Sequence, residues 1–132
     1  MIRPDGTPMT RYGAQRRPSR INTMTGIEAA WVGAIIEGEG SVMEKHGSLR
    51  PRWRVMVANT DPEIMSALLR LTGSGSICCT VDRKGTLGTK PVYRWELAAV
   101  EDVLHLVRQC SPYSMKLQRV PVELWRGNGY TD

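Results

Sequence analysis

The sequence predicts an α+β domain in which a helix followed by a β-hairpin occurs twice. Three observations carry this reading. Thr25-Gly-Ile-Glu28 is a capping-box pattern at the start of an apolar run. Residues 50–59 alternate arginine with apolar side chains, the two-residue period of a half-buried strand. Asp61-Pro62-Glu63 then carries the opening signature of a second helix, with Asp at the N-cap and Pro in the first turn.

Taken in order, residues 1–24 hold Pro4, Gly6, Pro8, Gly13 and Pro18 with little periodicity, and read as a flexible basic arm. The first helix runs from the Thr25 cap to about Glu37, where Gly38 and Gly40 end it. Ser41–Gly47 and Arg50–Asn59 form a hairpin around Gly47-Ser48, with Trp53, Val55 and Val57 on one face and Arg50, Arg52 and Arg54 on the other. Ile64, Leu68, Leu69 and Leu71 give the second helix its apolar stripe, and Gly73 stops it. A second hairpin pairs Ser76–Arg83 with Pro91–Ala98, in which Tyr93, Trp95 and Leu97 alternate with Arg94 and Glu96. Val100–Gln109 is helical, and a last helical stretch spans Lys116–Trp125, with Pro121 as a kink or as its true start. The expected division is an arm over 1–24, a domain over 25–126 and a short tail over 127–132.

Composition narrows the class. The chain has 132 residues, 41% of them hydrophobic and 23% charged, as expected for a globular domain. Its net charge of +5 is concentrated in residues 1–20, where Arg3, Arg11, Arg16, Arg17 and Arg20 face a single acid, Asp5. Such an arm suits contact with nucleic acid and suits a solvated leader equally. Three cysteines, two of them adjacent, fit no disulfide framework and point to a reducing, cytoplasmic setting. With no CxxC and two histidines, a zinc site is disfavoured. The longest apolar run, Ala29–Ile36, is too short to span a bilayer, so no membrane partner is expected.

The most informative segment is Trp31-Val-Gly-Ala-Ile-Ile-Glu-Gly-Glu-Gly-Ser41. It sets Glu37 and Glu39 at the C-terminal end of a helix, where the macrodipole disfavours negative charge. Such acids call for a cation, a cationic partner or solvent exposure. The Gly38-x-Gly40 pair follows a helix and therefore is no dinucleotide fingerprint, which must follow a strand.

Val32-Gly-Ala-Ile-Ile-Glu-Gly-Glu-Gly40 resembles the LAGLIDADG motif of homing endonucleases, in the variant ending Gly-Glu-Gly-Ser. Trp53-Arg-Val-Met-Val-Ala-Asn-Thr-Asp-Pro-Glu63, Tyr93-Arg-Trp-Glu-Leu97 and Pro112-Tyr113 followed by Lys116 extend the likeness over roughly residues 25–120. The resemblance implies an αββαββα core whose saddle-shaped antiparallel sheet lies in the DNA major groove. One motif per chain implies a homodimer joined through the motif helices, for which Ala30, Gly33 and Ala34 provide small side chains and Glu37 supports the helix end. Core packing within the chain is the competing reading of those small residues. By the same correspondence Glu39 is the catalytic metal ligand, Gly38 offers its carbonyl as co-ligand, and Lys116 stands near water or phosphate. The implied cofactor is Mg2+ (or Mn2+), which takes few carboxylates and keeps several waters.

On the implied groove-facing side stand Arg50, Arg52 and Arg54, with Ser41, Met43 and Lys45 at matching parity on the preceding strand and Arg94 on the last. Lys84 and Lys90 flank the second hairpin loop. Like charges in alternation repel one another, which favours an anionic partner. The function implied is a sequence-specific, metal-dependent endonuclease acting on a long, near-palindromic double-stranded DNA site, leaving short 3′ overhangs and promoting intron or intein mobility. The alternative on the same fold is a non-cleaving nucleic-acid binder, either an RNA maturase or a transcription regulator.

Overall fold

A computed structural model describes residues 18–45, 52–80 and 90–121. The elements are α1 (Gly26–Glu39), β1 (Gly40–Lys45), β2 (Arg52–Asn59), α2 (Pro62–Thr72), β3 (Ser76–Thr80), β4 (Val92–Leu97) and α3 (Val100–Cys110), an αββαββα succession. The four strands form one antiparallel sheet in the order β1-β2-β4-β3. The helices pack on one face of it around Val55, Val57, Trp95 and Leu97 from the strands, Val32 and Ile36 from α1, Leu68 from α2 and Leu106 from α3. Among the described residues, no element covers the other face. This is the α+β class that the patterning predicts.

Local chemistry sets the boundaries. Thr25 and Glu28 close the capping box at the start of α1, with Thr25 Oγ1 accepting from the Glu28 amide at 3.2 Å. Asp61 caps α2 by accepting from the Glu63 amide at 2.9 Å. The far end of α1 departs from expectation: the helix continues through Glu39 and so contains both acids. Gly40 is not a left-handed cap but extended (φ −99°, ψ 170°), and its N–H donates to Ile36 O. A Cβ at Gly40 would lie 2.7 Å from that carbonyl and 3.0 Å from Met56 O, so the chain passes here only without a side chain.

Residues 18–24, expected to belong to the arm, are docked on the domain instead. Ile21 and Met24 are buried, the Asn22 amide donates to Thr72 O at 2.8 Å and the Met24 amide to Gln109 Oε1 at 2.7 Å. Asp102, 1% exposed, accepts from the Arg20 amide and from Ser74 Oγ, both at 2.8 Å. A buried carboxylate must be satisfied in this way, and here it ties the arm's root to α3 and to the turn before β3.

The last helix is also corrected. After α3 the chain makes two 3-10 turns, Ser111–Tyr113 and Leu117–Arg119, instead of a helix beginning at Lys116. Val120 is extended (ψ 118°), as expected for a residue before proline, whose ring disfavours the helical region at the preceding position. Leu117 and Val120 nevertheless reach the core, which is the apolar periodicity that suggested a helix. The remainder of that stretch, both hairpin loops, residues 1–17 and the tail over 127–132 lie outside the described residues.

Candidate nucleic-acid interface and catalytic carboxylate

The C-terminal turn of α1 treats its two acids differently. Glu37 is half-buried and turned inward, where Oε1 accepts from the Lys116 amide at 3.0 Å and from Ser114 Oγ at 3.1 Å. The Lys116 amide does most to hold this carboxyl below its ordinary value of 4.5. Partial burial opposes that shift, and the Ser114 hydroxyl and Lys116 ammonium add to it. Glu39 is exposed, beside exposed Gly38. No basic residue occupies the last turn of α1 itself. The positive charge comes from Lys116, whose Nζ donates to Gly40 O at 2.8 Å and complements the helix terminus. Structure thus places Lys116 against the end of the motif, with one of its donors spent on the backbone. Among the described residues, no group of three or more His, Cys, Asp or Glu side chains is assembled for a metal.

The exposed side of α1 is apolar. Ile27 is 86% exposed, Ala34 and Gly38 are exposed, and Ala30, Trp31 and Ile35 are half-buried. Ala30, Ala34 and Gly38 recur every four residues and form a strip of small side chains along this face. Two residues expected there are taken up inside the chain instead. Gly33 is buried against the first 3-10 turn, and a Cβ on it would stand 2.7 Å from Tyr113 Cβ and 2.9 Å from Cys110 O. Glu37 is occupied by Ser114 and Lys116. Trp31 and Ile27 were not singled out in the sequence, although they share the helical face of Ala34.

The open face of the sheet collects the predicted groove-facing residues. Ser41, Met43 and Lys45 are exposed on β1, Arg52 is exposed and Arg54 half-buried on β2, and Arg94 is exposed on β4. Register places Lys45 opposite Arg52, Met43 opposite Arg54 and Ala58 opposite Arg94. Like charges directly opposite destabilise a sheet, so the Lys45–Arg52 pair suits a face that meets anions. Lys90 is exposed ahead of β4, whereas Arg50 and Lys84 lie outside the described residues. The groove-facing set named from the sequence leaves out one charged member of this face, Glu96, whose Oε1 lies 3.1 Å from Arg54 Nη1. Its parity with Arg94 was the available signal.

With this geometry in view, the architecture matches solved structures. The chain is similar to the homing endonuclease I-CvuI in complex with its target Sro1.3 in the presence of 2 mM Ca. The TM-score is 0.57 at 13% identity, over 76% of this chain and 68% of that one. A second I-CvuI structure, with the I-CreI target C1221 and 2 mM Mg and with the DNA not cleaved, gives 0.53 at 12% identity over 75% and 66%. The archaeal intron-encoded homing endonuclease I-Vdi141I complexed with DNA gives 0.46 at 19% identity over 66% and 55%. No protein-family model matches the chain, and no curated protein matches it in sequence. The fold is that of the LAGLIDADG homing endonucleases.

Proposed function

We propose that this chain is a single-motif homing endonuclease: a sequence-specific, divalent-metal-dependent enzyme that cuts double-stranded DNA as a homodimer, working in a reducing cytoplasm. One observation carries the reading. The helix that ends in an exposed carboxylate also presents an unpartnered apolar side, so covering that side with a second copy brings two such carboxylates together. A helix apolar all round is ordinarily buried, and the Ala30–Ala34–Gly38 strip permits two backbones to approach closely. The cationic sheet face next to it supplies the DNA-binding surface, and the I-CvuI complexes support the same use of the fold.

The residues present fit Mg2+ or Mn2+. An exposed carboxylate at the negative end of a helix dipole suits a hard cation that accepts one or two carboxylates and retains its waters. Glu39 would hold the metal, with the Gly38 carbonyl as a second oxygen donor. When bound, the metal activates water and screens charge developing on the phosphate. The chain's own residues do the positioning. Glu37 fixes the 114–116 segment against α1, and Lys116 secures the turn through Gly40 O while its remaining N–H donors stay available for water or phosphate. On the sheet, Arg52 and Arg94 meet guanine edges or phosphates, with Ser41, Met43, Lys45, Arg54 and Lys90 beside them.

Cleavage selection from a randomised duplex library, with and without Mg2+, tests this reading. The expected product is a two-fold symmetric site cut only when metal is present. Enrichment by binding with no cut ends would instead establish a non-cleaving binder, and no enrichment of any kind would reject a DNA function.

A further inference from the structure

Among the described residues, Glu96 is the one carboxylate that parity places on the open face of the sheet. Register sets it directly opposite Met56 on one side and Ser76 on the other, with Arg54 diagonal to it. The Arg54–Glu96 pair spans 3.1 Å with side chains 34% and 32% exposed. Pairs this exposed add little to stability, so stability does not account for an acid on a DNA-facing surface. Arg54 Nε is meanwhile buried with no hydrogen-bond partner among the described residues, so the guanidinium serves Glu96 through Nη1 while its own Nε–H goes unpaired.

We propose that Glu96 reads a cytosine in the major groove, held in position by Arg54. This rests on the DNA-binding reading above. A carboxylate only accepts hydrogen bonds and is repelled by phosphate, which removes the backbone as its partner. Base edges in the major groove offer two donors, the cytosine N4 and adenine N6 amines. Adenine presents its N7 acceptor beside N6, which a carboxylate cannot satisfy, so cytosine is the complement. Arg54 bonds one carboxylate oxygen, Oε1, and fixes the side chain's direction.

Binding-site selection on randomised duplex DNA, with full-length wild type, Glu96→Gln and Glu96→Ala, tests the assignment. Wild type is expected to prefer cytosine at one position of each half-site. Glu96→Gln should move that preference to adenine, since glutamine matches N6 and N7 together. Glu96→Ala should lose about 5- to 150-fold of discrimination at that position alone, the equivalent of one good base contact. If the variants lose affinity but keep the wild-type base at every position, Glu96 merely holds Arg54 and the proposal is overturned. If wild type itself selects no sequence, it is the DNA-binding reading that fails.

Discussion

Gly33 and Gly38 lie five residues apart in α1 and give opposite predictions, because one faces the chain's own 3-10 turn and the other faces open space. An alanine Cβ at position 33 would sit 2.7 Å from Tyr113 Cβ and 2.9 Å from Cys110 O, and nothing lies within 4 Å of a Cβ at position 38. To restore the 3.4 Å of ordinary contact the turn must retreat by roughly 0.5–0.7 Å. Because one neighbour is backbone, rotation of a side chain cannot relieve it. Overpacking of this kind costs ~1–3 kcal/mol, against ~1 kcal/mol gained by replacing a mid-helix glycine. Gly33→Ala should therefore lose roughly 1 kcal/mol net, about 4 °C in Tm for a domain of this size. Gly38→Ala should keep or slightly raise the stability of the single chain. In the proposed homodimer, though, its methyl enters the strip shared with Ala30 and Ala34, and we expect dimer affinity to fall by about tenfold, ~1.4 kcal/mol. Urea unfolding at low protein concentration reads the first quantity, and sedimentation velocity across a dilution series reads the second. Gly33→Ala as stable as wild type, together with Gly38→Ala dimerising as wild type, would show that the two faces of α1 have been exchanged.

Three further outcomes are expected. The Glu37 carboxyl has a lowered pKa in the fold, so its charge stabilises the domain above its ordinary value of 4.5, and that contribution disappears as pH falls through the lower folded value. The stability gap between wild type and Glu37→Gln should accordingly be full at pH 7 and close under strong acid; a gap independent of pH would place Glu37 elsewhere. Cys78 and Cys79 are exposed, whereas burial pushes the Cys110 thiol up to about 12. An alkylating reagent at pH 8 should thus label two thiols in the folded chain and the third only on denaturation, as counted by mass spectrometry. Arg52→Ala should weaken DNA binding and reduce its salt dependence by about one unit of slope if it meets phosphate, or alter base preference if it meets a base. Unchanged binding in both respects would remove β2 from the interface.

Much of the fold was legible because its signals are local. The Thr25–Glu28 box, the Asp61 cap and the alternation through Trp53, Val55 and Val57 each depend on residues a few positions apart. What escaped depends on distant partners. Ile21 and Met24 carry no periodicity, and their burial follows from amides that find Thr72, Asp102 and Gln109 some 50 to 85 residues away. Leu117 and Val120 have helical spacing, but Pro121 denies Val120 the helical backbone, and the core accepts Leu117 from a 3-10 turn and Val120 from the extended residue after it. At the site, the two acids differ through distant partners: Glu37 turns inward to Ser114 and Lys116, and Glu39 stays exposed. Small size alone could not distinguish Gly33, which admits the chain's own turn, from Ala34 and Gly38, which face outward.

In the proposed enzyme Glu39 serves cleavage and neither folding nor recognition. The most direct test of that role compares wild type and Glu39→Gln on one selected duplex site, following both binding and strand cutting in Mg2+. The variant is expected to fold, to bind as tightly as wild type or slightly tighter because a charge near phosphate is gone, and to make no detectable cut. Cutting by the variant at the wild-type rate would contradict that role.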